Sequence, residues 1–397
     1  MIDVTKLVNE IESDAIKHWH HLHANPELSL HEFNTCAYLM DVIENQVDYD
    51  RMKRVGDTGV LVELIGTKSQ SDKVIGLRGD MDALPVTEKT GLEFASLNDG
   101  VMHACGHDVH TTVLLSSLIV LSRIKNQFSG KLVFFFQPAE ENLRGAKLFL
   151  NDPHIDFEEI DGMAAIHVIP DLYGGQIGTR KGAILASADK LNIKVIGKQC
   201  HAAHPNRGVD PIVVAANIIN TLQTVVSRGI SPLENGIVTI GKINGGVAHN
   251  IISESLEMEG TIRATKPETR VAIHSKVKDI CENVAKGMGA QAIVDIEKGV
   301  PPLICDEEWV DRVFRVGCKL LGEENVINLS TPAMGGEDFA FLKENKPGVF
   351  IRLGARTPGK EYGATHSPYY YTDEKAIVVG VKTMVGVALD FFNEEYK

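Results

Sequence analysis

Apolar residues recur at helical spacing over residues 4–24 and again over 31–46, which predicts two amphipathic helices at the start of the chain. The pattern then changes. Short apolar runs bounded by glycine, proline or charge fall at 60–65, 74–78, 132–136 and 163–168, and such runs suit strands buried on both faces. With a further helix predicted over 109–124, this part of the chain reads as an α/β layer with a mostly parallel sheet.

A different rhythm begins near Ser187. Strands at 191–196, 237–243, 256–262 and 291–296, with helices at 211–227 and 270–286, give the order β-α-β-β-α-β, the split ferredoxin-like unit. After residue 297 the first rhythm returns, with a helix over 309–321, a strand over 349–353 and a last helix over 374–392. The expected organisation is therefore a discontinuous larger domain, 1–186 and 297–397, with a smaller α+β domain, 187–296, inserted into it. No internal repeat or low-complexity stretch interrupts this pattern.

Composition narrows the function classes. A chain of 397 residues with 44% hydrophobic side chains can fill two cores, and a formal charge of -13 would repel phosphate backbones and anionic lipid. Nucleic-acid and membrane partners are not expected. Residues 1–14 carry Asp3, Lys6, Glu10 and Glu12 among their apolar positions, unlike a signal peptide. The longest apolar stretch, 376–389, is too short to span a bilayer and is broken by Lys382. Six cysteines without a C-x-x-C pair fit a reducing compartment, so a cytoplasmic location is expected.

Candidate chemistry starts at His103-Ala104-Cys105-Gly106-His107-Asp108-Val109-His110. Asp108 reads as the N-cap of the helix that follows, which leaves Cys105 and His107 in the preceding loop, where both can aim at one point. A thiolate and an imidazole converging there suit zinc or a similar metal. A buried cysteine beside capping histidines is the plainer reading, and a nucleophilic Cys105 activated by His107 is the sharper one. The strand at 132–136 runs into Gln137-Pro138-Ala139-Glu140-Glu141, at the sheet edge where ligands of open α/β sheets bind. Neighbouring side chains of an extended segment diverge, so two adjacent glutamates can take two tasks, one on a metal and one on a water.

His167, read as ending the strand that starts at Met163, and His366, just before the last helix, fall at matching element ends. His18, His20, His21 and His23 share one helix, and an amphipathic face accounts for them. Asp80 and Asp82 follow a buried strand and read as carboxylates that orient a ligating imidazole.

In this order, His23-x-x-Pro26-Glu27-Leu28, G-D-M-D-A-L-P, H-A-C-G-H-D, Q-P-A-E-E, Ala186-Ser187-Ala188-Asp189, Gly335-Gly336-Glu337-Asp338-Phe339 and the late His366 resemble the amidohydrolase branch of the aminoacylase and carboxypeptidase G metallopeptidase clan. That branch includes hippurate hydrolases, N-acyl-amino-acid deacetylases and auxin-conjugate hydrolases. The resemblance implies a dinuclear metallohydrolase that cleaves the amide of N-acyl-L-amino acids, with a dipeptidase or carboxypeptidase using the same centre as the alternative. It implies two divalent ions, zinc or manganese first and cobalt or nickel also accepted, with Cys105 bridging and His107, Glu141, His167 and His366 completing the ligands. By the same resemblance Glu140 is the general base and His201 stabilises the transition state, in its own or a neighbouring subunit's site. Asn250 and Arg263 then hold the substrate carboxylate, and the small domain acts as a lid and as the interface of a homodimer. The chain departs from the family at Gln199-Cys200, where Gly-Gly is usual, and at Ser253, where proline is usual.

Overall fold

The computed structural model describes residues 1–361 and 363–397, and they form two compact units. The first comprises Met1–Gly182, Ile304–Ser330 and Asp338–Lys397; the second comprises Ala183–Leu303 and Thr331–Glu337.

An eight-stranded sheet organises the first unit. Across it lie Arg51–Val55, Gly59–Thr67, Ser129–Gln137, Val74–Asp80, Gly162–Tyr173, Gly348–Arg356, Ile177–Thr179 and Val326–Asn328. The four middle strands run parallel, and antiparallel pairs flank them, so the fold is α/β with a mixed, mostly parallel sheet. Every residue of Val74–Asp80 is buried, as expected of a strand covered on both faces.

All of helix His107–Ser122 is buried too, which is why it has no polar stripe and reads as apolar all round. It packs on Val74–Asp80 and against the first and last helices, Val4–Ala24 and Lys375–Phe391. Asp80 pairs with Gln137 at the carboxyl ends of their strands, and the Q-P-A-E-E turn leaves the sheet there.

Two local expectations need correction. The helix begins at His107 rather than after Asp108, with Gly106 in the N-cap position at a φ of 83°. Asp108 caps nothing, because its carboxylate is taken by side chains of the first helix. His167 does not end its strand, which continues to Tyr173. The pairing with Val74–Asp80 stops at Ala165, so the backbone beyond is free to bond elsewhere on that side.

The second unit holds a four-stranded antiparallel sheet in the order Gly236–Gly245, Ser255–Ala264, Asp189–Ile196, Gln291–Glu297. Helices Pro211–Ser227 and Pro267–Gly287 supply its core with the inward faces of these strands. Asp210 caps the first of them by accepting from the Ile212 N–H at 2.9 Å, and Pro211 starts the helix without needing a donor. Thr331–Glu337 joins this unit where the Ala186 N–H donates to the Gly335 carbonyl at 3.1 Å. Among the described residues no helix is long and apolar enough to cross a membrane.

Candidate metal centre

Asp82 is the residue on which the centre is hung. It follows the buried strand Val74–Asp80 and is itself 1% exposed. Its Oδ1 accepts from His107 Nδ1 and from the Glu140 N–H, both at 3.1 Å. Its Oδ2 accepts from the Glu141 N–H at 3.0 Å and the Ser29 hydroxyl at 2.6 Å. One carboxylate thereby fixes an imidazole and both glutamates of Q-P-A-E-E. A buried carboxylate is costly unless paired, and these four donors meet that cost.

Since His107 donates through Nδ1, its Nε2 is the atom left to face the centre, and this buried atom has no hydrogen-bond partner. It faces Glu141 Oε1 at 3.9 Å and Glu140 Oε2 at 4.0 Å. Glu141 Oε1 is likewise buried without a hydrogen bond, and lies 3.5 Å from His366 Nε2. His167 donates Nδ1–H to the Val168 carbonyl at 2.7 Å, which turns its Nε2 toward Cys105 Sγ at 3.5 Å.

The donor atoms of Cys105, His107 and His167 all lie within 4.8 Å of one another, and so do those of Cys105, Glu141 and His366. Cys105 belongs to both groups. The structure therefore brings together all five residues that the sequence suggested as ligands, with Glu140 beside them in a third such group with His107 and Glu141.

Electrostatics favour a cation here. Burial works against a charged His107 ring, yet Asp80, Cys105 and the bond to Asp82 hold its pKa well above the ordinary histidine value. A field that grips a proton on Nε2 is one that a metal ion can use. His167 goes the other way: burial, with His110 and Arg352 nearby, keeps it well below the usual range and hence neutral, as a ligand must be. Burial also pushes the Cys105 thiol far up, more than His107 offsets, so by itself it is not a thiolate at neutral pH. That disfavours a free nucleophilic thiol. Buried, partnerless lone pairs and a sulfur, nitrogen and oxygen donor set fit two borderline divalent ions.

Backbone strain marks the same loops. Ala139 and His366 are non-glycine residues at φ of 55° and 68°. Such conformations cost roughly 1–3 kcal/mol and persist only where surroundings impose them. Ala139 is held by its N–H to buried Glu32 at 2.8 Å, and His366 by its N–H to the Ala104 carbonyl at 2.8 Å. Gly106 separates the two nearest ligand candidates because a Cβ there would lie 2.3 Å from Val168 Cγ2.

Three supports escaped the sequence reading. His110 stands in the same string as His107, but its Nδ1 bonds Asp80 Oδ1 at 2.5 Å and its Nε2 accepts the Val168 N–H at 2.8 Å, so both nitrogens are used. Arg78, fully buried, donates to Gln137, Asp80 and Asp338 and ties the ends of two strands together. His23, assigned to an amphipathic face, is buried against Asp108. Its spacing from Trp19, one helical turn away, was the available signal.

A cavity of about 780 Å³ adjoins the loop that carries His366, lined among others by Thr90, Leu92, Ala364, Ser367, Tyr369 and Tyr371. The buried hydroxyl of Tyr371 has no hydrogen-bond partner.

The remaining suggested residues belong to the second unit. His201 is exposed in a short strand paired with Ile251–Ile252, and its Nδ1 accepts the Ala203 N–H at 3.1 Å. The Ala202 N–H donates to the Asn250 carbonyl at 3.0 Å, so His201 and Asn250 share one substructure. Arg263 lies in strand Ser255–Ala264, half-buried, with Nη1 3.4 Å from where a Cβ on Gly336 would stand.

Comparison with known proteins agrees with this chemistry. The profile described as peptidase family M20/M25/M40 matches residues 76–390. An N-acetyldiaminopimelate deacetylase of Oenococcus oeni is 39% identical over 381 residues, 94% of this chain and 97% of its own. An N-acetyl-L-cysteine deacetylase of Bacillus subtilis is 36% identical over 371 residues, 94% of this chain and 86% of its own. Among solved structures, a dinuclear metal-binding peptidase of family M20 from Bacillus subtilis superposes with a TM-score of 0.85 at 31% identity, covering 97% of this chain and 99% of that one. With matches of this length on a site of this composition, the chain belongs to the M20/M25/M40 peptidase family and is a hydrolase of the amidohydrolase and metallopeptidase type.

Proposed function

We propose that this hydrolase removes the acyl group from N-acyl-L-amino acids at a centre of two divalent ions, shared by Cys105 and completed by His107, Glu141, His167 and His366. The observation that carries the reading is the convergence of the partnerless His107 Nε2 and Glu141 Oε1 with the donor atoms of Cys105, His167 and His366. Relatives named for removing acetyl groups from amino acids support the substrate class. Zinc suits the thiolate best, and manganese, cobalt or nickel suit the imidazoles and carboxylate.

Amide hydrolysis at neutral pH lacks a strong nucleophile, a place for negative charge and a proton for the leaving amine. The ions, when bound, acidify water and stabilise charge on the acyl oxygen. Glu140 takes the proton from the attacking water and returns it to the departing nitrogen. Its backbone, tied to Asp82, keeps that carboxylate beside Glu141 without spending it as a ligand. His201 donates to the developing oxyanion, and Asn250 and Arg263 hold the substrate carboxylate. The second unit serves as lid and dimer interface; its outermost strand, Gly236–Gly245, is largely exposed, and an unpaired strand edge can pair with a second copy. Six free cysteines accord with a cytoplasmic location.

A dipeptidase would use the same residues, and the peptidase among the similar structures supports that second reading. Glu140→Gln tests the mechanism. Turnover of N-acetyl amino acids should fall by roughly 10²–10⁴ with bound metal unchanged, as expected when a general base but no ligand is lost. Undiminished turnover at full metal content would remove Glu140 from the role, and preference for dipeptides across a substrate panel would favour the second reading.

A further inference from the structure

The first helix, Val4–Ala24, supplies no ligand candidate, yet through His23 its last turn reaches Asp108, the residue after His107. This side chain is 3% exposed. Its Nδ1 lies 2.7 Å from Asp108 Oδ2, and its Nε2 lies 3.3 Å from Glu88 Oε1. Asp108 directly follows His107, and among the described residues its one side-chain donor besides His23 is Trp19 Nε1, at 2.8 Å on the same oxygen. The other oxygen, Oδ1, is buried without a partner. Glu88 in turn accepts the Ser96 N–H at 2.7 Å and the Thr90 hydroxyl, and Thr90 lines the cavity next to the His366 loop. Phe94 and Trp19 close around the imidazole. Burial alone would discharge this ring, but Asp108 and Glu88 outweigh it and raise its pKa to about 9.

We propose that His23, clamped between Asp108 and Glu88, is a positioning residue that fixes both the first turn of the helix bearing His107 and the cavity wall at Thr90. Metal retention and substrate fit then depend on a residue that touches neither ion nor substrate. The physical reason lies in the two carboxylates. Asp108 is 2% exposed, and its Oδ2 is held by His23 Nδ1 at 2.7 Å and Trp19 Nε1 at 2.8 Å. Without His23 this carboxylate loses one of its two side-chain donors and must turn to find another, which pulls on the backbone that carries His107. The proposal rests on reading the centre as a metal site.

The test uses the full-length protein, zinc as the probe and His23→Gln, which keeps a hydrogen bond and removes the charge. Zinc affinity, measured by chelator competition, should fall roughly 10-fold, the lower end for losing a group that supports a ligand. With zinc saturating, so that lost metal is not the cause, KM for an N-acetyl amino acid should rise. Asp108→Asn alone should also weaken zinc, and the double variant should bind better than either single one, since a neutral pair replaces an unbalanced charge. Glu88→Gln should raise KM with zinc affinity intact. Wild-type zinc affinity in His23→Gln, or additive losses in the double variant, would overturn the proposal. If His23→Gln fails to fold, the Asp108 and Glu88 variants decide: an unaltered zinc affinity in the first, or an unaltered KM in the second, refutes it. A wild-type protein that binds no zinc, manganese, cobalt or nickel would instead sink the metal reading itself.

Discussion

Asp82→Asn is the most informative single change, because it alters one atom in a buried group that four donors share. The carboxylate accepts His107 Nδ1 and the Glu140 N–H on one oxygen, and the Glu141 N–H and Ser29 hydroxyl on the other. An amide offers one oxygen. If its NH₂ faces His107 and Glu140, two donors lose their acceptor. If it faces Ser29 and Glu141, the serine can rotate to accept, and only the Glu141 N–H is orphaned. The second orientation is therefore favoured. An unsatisfied buried donor costs about 1–3 kcal/mol, and the surviving bonds weaken because they no longer end on a charge. The net loss should be about 2–4 kcal/mol of stability. His107 would be held by a neutral oxygen, and weakening such a support lowers metal affinity by about 10–100-fold. Thermal unfolding with saturating zinc and after chelation, together with a zinc competition titration, measures both effects. Unfolding at the wild-type temperature with unchanged zinc affinity would show that Asp82 is not what fixes the centre.

Three further outcomes are expected. In chelated, folded protein at neutral pH, iodoacetamide should modify exposed Cys318 and spare Cys105, whose burial keeps it a thiol; rapid labelling of Cys105, read by peptide mass mapping, would revive the nucleophile reading. Gly106→Ala adds a Cβ 2.3 Å from Val168 Cγ2 at a φ of 83°, and strain plus overpacking should cost about 2–4 kcal/mol, visible as a lower unfolding temperature. Unaltered unfolding would contradict the packing described. His23, raised to about 9 from 6.5, contributes stability that is complete below pH 6.5 and lost as pH rises through 9. That contribution is on the order of 3 kcal/mol. Asp108, lowered to about 2 from 3.8, contributes above pH 3.8 and loses its share as pH falls through 2. In metal-free protein the urea midpoint should therefore decline between pH 6.5 and 9, and His23→Gln should flatten that decline; parallel curves for the two proteins would refute the assignment.

The sequence by itself determined the class of the molecule. Apolar runs such as 74–78 and 132–136 have one stable use, as strands covered on both faces, and the change of rhythm near Ser187 marks a second unit because antiparallel strands with one wet face alternate differently. It also supplied the donor list, since thiol, imidazole and carboxylate groups stand in short strings at element ends, where local chemistry is visible without neighbours.

What it could not decide was which atoms are free. His107 and His110 are two histidines of one string, three positions apart on one helix, and the string does not say which of their nitrogens are spent. Only the fold delivers Asp80 and the Val168 N–H to occupy both nitrogens of His110, while it leaves Nε2 of His107 unpartnered. His23 is the same case in reverse, an apparently surface histidine made internal by a carboxylate 85 residues away. A lone pair is available or spent according to what lies within about 3 Å of it, and that distance is set by packing between segments remote in the chain.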